Sequence, residues 1–189
     1  MKIVAFVLLS FALLNASPVS EGNKFFANGD YGKALESYLS ARKENPAEPA
    51  LFYNIGTCQY MLGNYEDAIK ELEPAVRFPD SSLAAKAAYN LANAYFRSGE
   101  KAESATKIEA WRQSIAYLKK AIELVPNYEK AKKNIEIVQR RLKEALDEQK
   151  NEQQENDQNK QDEPEMSEAA KAALARALQF CKEGKYAPA

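Results

Sequence analysis

Tyr53-Asn-Ile-Gly-Thr-Cys-Gln-Tyr-Met-Leu-Gly-Asn-Tyr-Glu-Asp-Ala68 is the stretch on which the fold turns, and Ile69, Leu72, Ala75 and Val76 continue it. Apolar and small residues recur at helical spacing on both sides of Gly63-Asn64-Tyr65, so the stretch reads as two short amphipathic helices meeting at a tight turn. Gly63 lies 34 positions after Gly29, and at that offset Asn28-Gly-Asp-Tyr-Gly-Lys-Ala34 superposes on Leu62-Gly-Asn-Tyr-Glu-Asp-Ala68, and Ala41 on Ala75. A fixed period of this length marks stacked helix pairs, each burying its apolar face against its neighbours.

Working outward, the first pair has a helix A over residues 19–28, with Phe25 and Phe26 near its end, broken by Gly29-Asp30. Its helix B carries Tyr31, Ala34, Leu35, Tyr38, Leu39 and Arg42 as one stripe and stops at Asn45-Pro46, because proline lacks the N–H that continues a helix and biases the residue before it toward extended backbone. The second pair occupies residues 52–62 and 65–77, and Pro74 is expected to kink its helix B or end it early. The third pair departs from the period. Asn54 recurs at Asn90, a helix A opens with Tyr89 and ends at Gly99, and helix B carries Trp111, Ile115, Leu118, Ala121 and Ile122 before Val125-Pro126. Ala121 follows Ala75 by 46 positions in place of 34, so twelve residues are extra: two before Asn90 and ten between Gly99 and Trp111. The ten are rich in helix formers and are expected to lengthen the helices or the turn. Trp111 takes the place of Tyr31 and Tyr65, an aromatic anchor at the start of helix B.

A longer helix follows over residues 128–148, with Ala131, Ile135, Val138, Leu142 and Ala145 on one face and Arg140, Lys143, Glu144 and Asp147 on the other. That is the form of a capping helix, which covers the last apolar face of a solenoid and turns a polar face outward. Residues 151–165 are almost wholly Asn, Gln, Glu, Asp and Lys; they bury too little apolar area to offset chain entropy and read as a disordered acidic linker. Residues 166–189 hold a last helix, capped by Ser167, running through Ala169, Ala172, Leu174, Ala177, Leu178 and Cys181, and stopped by Gly184. Phe180-Cys-Lys-Glu-Gly-Lys-Tyr186 echoes Tyr60 to Tyr65. The segment is either a docking helix or fourth half-repeat, or an alanine-rich tail without a partner.

Composition narrows the chemistry. The 189 residues are 46% hydrophobic and 28% charged, with a net charge of −1, which fits a soluble globular chain and gives no reason to expect nucleic acid or an anionic membrane as partner. The acids concentrate in residues 151–165, six against Lys160, so the folded part is mildly basic. Histidine is absent, which removes the commonest general base and the commonest transition-metal ligand together. The two cysteines, Cys58 and Cys181, have no zinc spacing, and no glycine-rich phosphate loop or Gly-x-Ser-x-Gly elbow occurs. No catalytic residue, cofactor or metal site is expected.

Lys2 followed by the apolar run from Ile3 to Leu14 reads as an export signal over residues 1–17, too short to span a bilayer comfortably. A buried first helix or an uncleaved anchor is the alternative. Export places the chain in an oxidising compartment, where Cys58, inside a helix, and Cys181, beyond the linker, are expected as free or intermolecular thiols.

Residues 18–150 resemble tetratricopeptide (TPR) repeats. Gly22, Phe25, Ala34, Tyr38, Ala41 and Pro46 match the signature in the first repeat, Phe52, Ile55, Gly56, Ala68, Leu72 and Ala75 in the second, and Leu91, Ala92, Tyr95, Leu118, Ala121 and Pro126 in the third. Gln59, Asp80 and Ser114 depart from it. The resemblance implies an all-α superhelix of about three helix-turn-helix repeats plus a capping helix. The whole arrangement, from export signal through Ala131-Lys-Lys-Asn-Ile-Glu136 and the acidic tract to the Met166–Leu178 tail, resembles the exported TPR proteins of bacterial aerotolerance (Bat) operons. That likeness implies a periplasmic, non-enzymatic adaptor linked to oxidative stress and associated with MoxR-type ATPases. Its partners would be other proteins, von Willebrand A domain membrane proteins or other Bat-type proteins among them. Membrane contact would come only through partners or an uncleaved signal, and a homo-oligomer or a structural envelope-assembly role is the alternative.

By the same resemblance the A helices line a concave groove presenting Asn23, Phe26, Tyr53, Asn54, Thr57, Tyr60, Met61, Lys86, Tyr89, Asn90, Asn93, Phe96 and Arg97. Amides suit an extended peptide backbone, while aromatics and methionine grip side chains. Asn23, Asn54 and Lys86 match part of the two-carboxylate clamp of chaperone-binding TPRs, but Val19 and Asn90 stand where that clamp needs cations. Terminal-carboxylate capture is therefore the less favoured version. Asn54 and Asn90 bridging helices, and Tyr53 and Tyr89 packing between repeats, is the competing reading of the same residues.

Overall fold

The structure, a computed structural model, describes residues 17–162 and 167–183; the expected export signal, except Ser17, and the helix stop at Gly184 lie outside the described residues. Regular structure among the described residues is helical throughout: α1 (Pro18–Ala27), α2 (Tyr31–Glu44), α3 (Pro49–Met61), α4 (Tyr65–Ala75), α5 (Ser81–Glu100), α6 (Ser104–Leu124), α7 (Glu129–Asp162) and α8 (Glu168–Lys182). None of these helices is long and apolar enough to cross a membrane. The chain forms two compact units, dividing after Leu146.

In the first unit each helix from α1 to α5 packs on its successor, and α3 also touches α5, which is the stacking of three antiparallel helix pairs. The turns explain why the first two pairs match so closely. Gly29 and Gly63 both sit at φ +82°, a left-handed conformation that glycine adopts without steric cost. Each ends its helix in a Schellman arrangement: Asp30 N–H donates to Phe25 O and Gly29 N–H to Phe26 O, as Asn64 donates to Gln59 O and Gly63 to Tyr60 O. Small residues then let the pairs close. A Cβ on Gly56 would lie 2.6 Å from Leu72 Cγ, and one on Gly22 2.7 Å from the Tyr38 ring. Leu51, Ile55, Leu72, Leu91 and Leu118 are fully buried between the layers, each contributing about 1.5–3 kcal/mol of transfer free energy.

Pro74 sits one residue before the end of α4, so the helix ends early, as the sequence implies. The third pair corrects two expectations. α5 begins at Ser81, ahead of Tyr89, because Asp80 caps it: its carboxylate accepts from Ser82 N at 2.8 Å and Leu83 N at 3.1 Å. Gly99 does not end the helix. α5 runs through it to Glu100, three residues further past its glycine than α3 runs relative to Gly63, and α6 begins at Ser104, seven residues ahead of Trp111. Those three and seven residues are the ten-residue insertion. Trp111 is therefore inside α6, buried, with Nε1 donating to Phe96 O at 3.0 Å, and Gly99 serves as the notch for its ring, 2.7 Å from a Cβ built there.

α7 places Ala131, Val138 and Ala145 in one buried cluster with Ala88, Ala92, Leu118 and Ala121, while Arg140, Lys143 and Glu144 are exposed. The disordered linker expected over residues 151–165 is a further correction, since α7 stays helical to Asp162. Chain entropy forbids a packed core there, and the described side chains from Lys150 to Glu155 are indeed exposed. Helix propagation from an existing packed turn needs no new nucleus, however, and Glu, Gln and Lys propagate well. In the second unit α8 is capped by Ser167, whose Oγ accepts from Ala170 N at 3.3 Å, and none of its residues is buried. Cys58, buried, and Cys181, exposed, are both free.

Candidate peptide groove

The face formed by α1, α3 and α5 holds the expected groove residues in two clefts and a chain of hydrogen bonds. Asn23, Phe26, Tyr53, Asn54 and Thr57 line one cleft of about 140 Å³ together with Tyr38. Tyr38 OH donates to Asn23 Oδ1 at 2.7 Å, and burial, with a smaller contribution from Cys58, pushes this phenol up to about 12. It is a neutral donor at any physiological pH, so it holds the Asn23 carbonyl and leaves the Asn23 amide N–H groups free. Phe26 meets Tyr31 edge-on at 5.2 Å. The Asn54 amide has no hydrogen-bond partner among the described residues.

Lys86 lies apart from that cleft. It lines a second one of about 220 Å³ with Ser82, Ala85, Val125, Asn127 and Tyr128, exposed and without an ion-pair partner among the described residues. Between the two clefts Asn90 Nδ2 donates to Thr57 Oγ1 at 3.0 Å, and Thr57 Oγ1 donates to Tyr53 O at 2.7 Å. Asn134 on α7 donates to Asn93 Oδ1 at 2.9 Å and to Tyr89 OH at 3.2 Å, and Tyr89 packs on Tyr128 at 5.2 Å. The bridging reading thus holds for Asn90 but not for Asn54, and the packing reading for Tyr53 and Tyr89; Asn23 and Asn93 are bonded as well, but each amide spends only part of its capacity of two donors and one two-lone-pair acceptor.

Tyr60, Met61, Phe96 and Arg97 fall toward the turn end of the A helices. Tyr60 packs on Tyr65 at 5.8 Å and Phe96 stacks on Trp111 at 5.6 Å. Met61 is 44% exposed, while Arg97 is ion-paired with Glu100 at 2.7 Å, so its charge is partly answered within the chain. The insertion reaches this end too, where Lys101 lies 4.6 Å over the Tyr65 ring, next to Ser98, whose Oγ donates to Glu66 at 3.1 Å.

Tyr38, Ser82, Ala85, Val125, Asn127 and Tyr128 line these clefts, and Asn134 bonds across the same face; none was among the sequence candidates. Tyr38 belongs to the core stripe of α2, and nothing local marks its hydroxyl as reaching α1. Val125 and Tyr128 flank the break between α6 and α7, where a turn signal hides side-chain direction. Asn134 was detectable in principle: it stands three residues after Ala131, a polar residue on the inward face of a capping helix, and such a residue needs a partner.

Residues 19–82 and 63–117 match the family model described as tetratricopeptide repeat. The small glutamine-rich tetratricopeptide repeat-containing protein 2 of Mycosarcoma maydis is 31% identical over 116 residues, which is 61% of this chain and 30% of that protein. The chain spans less than a third of the length of the curated relatives it matches. Among solved structures, the Sgt2 TPR domain from Aspergillus fumigatus superposes with a TM-score of 0.58 at 25% identity, covering 68% of this chain and 79% of that one. The first TPR of Spaghetti (RPAP3), bound to the HSP90 peptide SRMEEVD, superposes with a TM-score of 0.57 at 22% identity, covering 66% of this chain and 90% of that one.

Proposed function

The chain belongs to the tetratricopeptide repeat family, and we propose that it is a non-enzymatic protein-interaction adaptor whose groove holds an extended segment of a partner protein. One observation carries this reading. Asn54 and Lys86 line clefts of the groove face with no intramolecular hydrogen bond or ion pair among the described residues, which leaves their polar groups open to a ligand. The similar TPR domain that holds SRMEEVD supports a peptide as occupant.

We propose further that the protein works in the bacterial envelope, in a complex tied to aerotolerance and oxidative stress. The signal-like pattern of residues 1–17 and the order of repeats, acidic tract and alanine-rich tail support this setting. The partners proposed are membrane-anchored proteins with von Willebrand A domains or other Bat-type proteins. The test is a pull-down from envelope extract with wild-type protein and with Asn54→Ala/Lys86→Ala. Loss of specific partners at unchanged melting temperature supports the groove adaptor, and equal recovery by both proteins refutes it. Self-association is the second reading, favoured by Leu174, Leu178 and Phe180 of α8, each more than half exposed. Light scattering of the full chain and of Leu174→Glu/Leu178→Glu separates it from the first, since only self-association makes the mass fall with those substitutions.

A further inference from the structure

We propose that Thr57 sets the ligand class of the middle of the groove by fixing the orientation of the Asn90 amide, so that this subsite selects an internal peptide group over a chain-terminal carboxylate. The inference rests on the groove-binding reading above. Its geometry is a relay of two bonds. Thr57 Oγ1 donates its one proton to Tyr53 O at 2.7 Å, a bond back to the preceding helical turn. With that proton spent, the oxygen can only accept. Asn90 must then meet it with Nδ2, and does so at 3.0 Å across 33 residues of sequence. Thr57 is only 9% exposed, so the relay is held inside the layer between α3 and α5 and does not rotate freely with solvent.

The consequence is what Asn90 has left to offer. One N–H is committed to Thr57; one N–H and Oδ1 remain. That pair complements a main-chain amide, which brings one carbonyl and one N–H. A carboxylate brings acceptors only, and sets an oxygen against Oδ1; Asn90 itself holds a position where a cation would be needed, and Lys86, one helical turn away, lines the other cleft. The neighbouring cleft agrees in polarity. Tyr38 occupies Asn23 Oδ1, leaving the Asn23 N–H groups to donate to a ligand carbonyl, and Asn54 is free to pair both ways. A ligand segment running from this cleft past Asn90 thus meets donor and acceptor groups in mixture, as an extended backbone requires, whereas a carboxylate needs donors alone.

The experiment uses the full chain on an array of heptapeptides of varied sequence, SRMEEVD among them, each presented both with a free C-terminal carboxylate and as the C-terminal amide. Wild type is expected to bind the amidated member of a pair more tightly, by up to about tenfold, the size of one mismatched polar contact. Thr57→Val removes the acceptor at constant shape, frees the Asn90 amide to turn over, and brings the ratio toward one. Thr57→Ser keeps the acceptor and keeps the ratio. Asn90→Arg supplies the cation and inverts the ratio toward carboxylates, which makes the proposal testable even if Thr57→Val does not fold. A wild-type ratio of one, a wild-type preference for free carboxylates, or an unchanged ratio in folded Thr57→Val and Asn90→Arg, overturns the proposal. Failure of wild type to bind any peptide on the array overturns the groove reading itself, together with what rests on it.

Discussion

Ser114→Ala should stabilise the protein. Ser114 is fully buried, and its Oγ is the one buried side-chain polar atom among the described residues with no hydrogen-bond partner. It stands three residues after Trp111, as Ala34 stands after Tyr31 and Ala68 after Tyr65, and both alanines are fully buried at the same place in their pairs. The hydroxyl therefore lost its water on folding without gaining a partner. Such a group costs about 1–3 kcal/mol, and the exchange to alanine adds a few tenths of helix propensity. Against this stands the small void left by one oxygen atom, a few tenths of a kcal/mol at about 24 cal/mol per Å³. The balance favours the alanine by about 1–2 kcal/mol.

Urea unfolding followed by circular dichroism at the helix band reads the change as a rise in midpoint at constant m-value. In a thermal scan each kcal/mol should appear as about 2–4 °C for a domain of this size. The mirror substitutions complete the argument: Ala34→Ser and Ala68→Ser bury the same hydroxyl in equivalent places and should each lower the midpoint by a comparable amount. A midpoint that is unchanged or lower in Ser114→Ala, with Ala68→Ser neutral, would refute the reasoning by showing that the position satisfies a hydroxyl.

Gly56→Ala is expected to cost about 1–3 kcal/mol, because the new Cβ would lie 2.6 Å from Leu72 Cγ and the α3–α4 pair must open to admit it; the urea midpoint measures it. Trp111→Phe removes the bond from Nε1 to Phe96 O at 3.0 Å and leaves a void beside Gly99, and a loss of about 1–3 kcal/mol should show in the same measurement. Stability should also fall at high pH. Burial pushes the Cys58 thiol from 9.0 to about 11 and the Tyr38 phenol from 10.0 to about 12, so the folded state holds protons that the unfolded chain has released. That contribution is complete below pH 9 and is lost as pH rises through 11 and 12, at about 1.4 kcal/mol per pH unit for each group while the two states differ by a full proton. Cys58→Ala and Tyr38→Phe should each remove their own part of the slope, which urea titrations across this range would test.

The fold was legible because its determinants are local and repeated. Gly29 and Gly63 sit at identical turns, the stripes of α2 and α4 share one spacing, and either glycine predicts the other's conformation. The third pair was less legible because Gly99 looks the same in sequence and has a different task. A turn glycine and a close-packing glycine are told apart only by what faces them, and Trp111 reaches Gly99 by virtue of an insertion whose placement no period dictates. The helical state of residues 151–162 escaped for another reason: composition speaks to whether a segment can pack, while continuity with α7 governs whether it stays helical. At the groove, the resemblance to TPR repeats implied which positions of the A helices face it. It could not report Tyr38, Asn127 or Asn134, which reach that face from other elements.

The groove amides show why structural and binding readings of the same residues need not compete. An amide on the inner face of a helical stack has more hydrogen-bonding groups than one neighbour can use. Asn23 gives its carbonyl to Tyr38, Asn90 gives one N–H to Thr57, and Asn93 gives its carbonyl to Asn134. Each such bond lowers the rotational freedom of the side chain before any ligand arrives, so less ordering entropy remains to be lost on binding. The bond also decides which half of the amide is presented. Bridging residues thereby become oriented residues, and the groove acquires a donor and acceptor pattern that its composition alone does not contain. Asn54 and Lys86, which bridge nothing among the described residues, are the adaptable members of the same surface. Truncating them should affect binding alone, whereas truncating Asn90 should affect both binding and the α3–α5 packing it ties together.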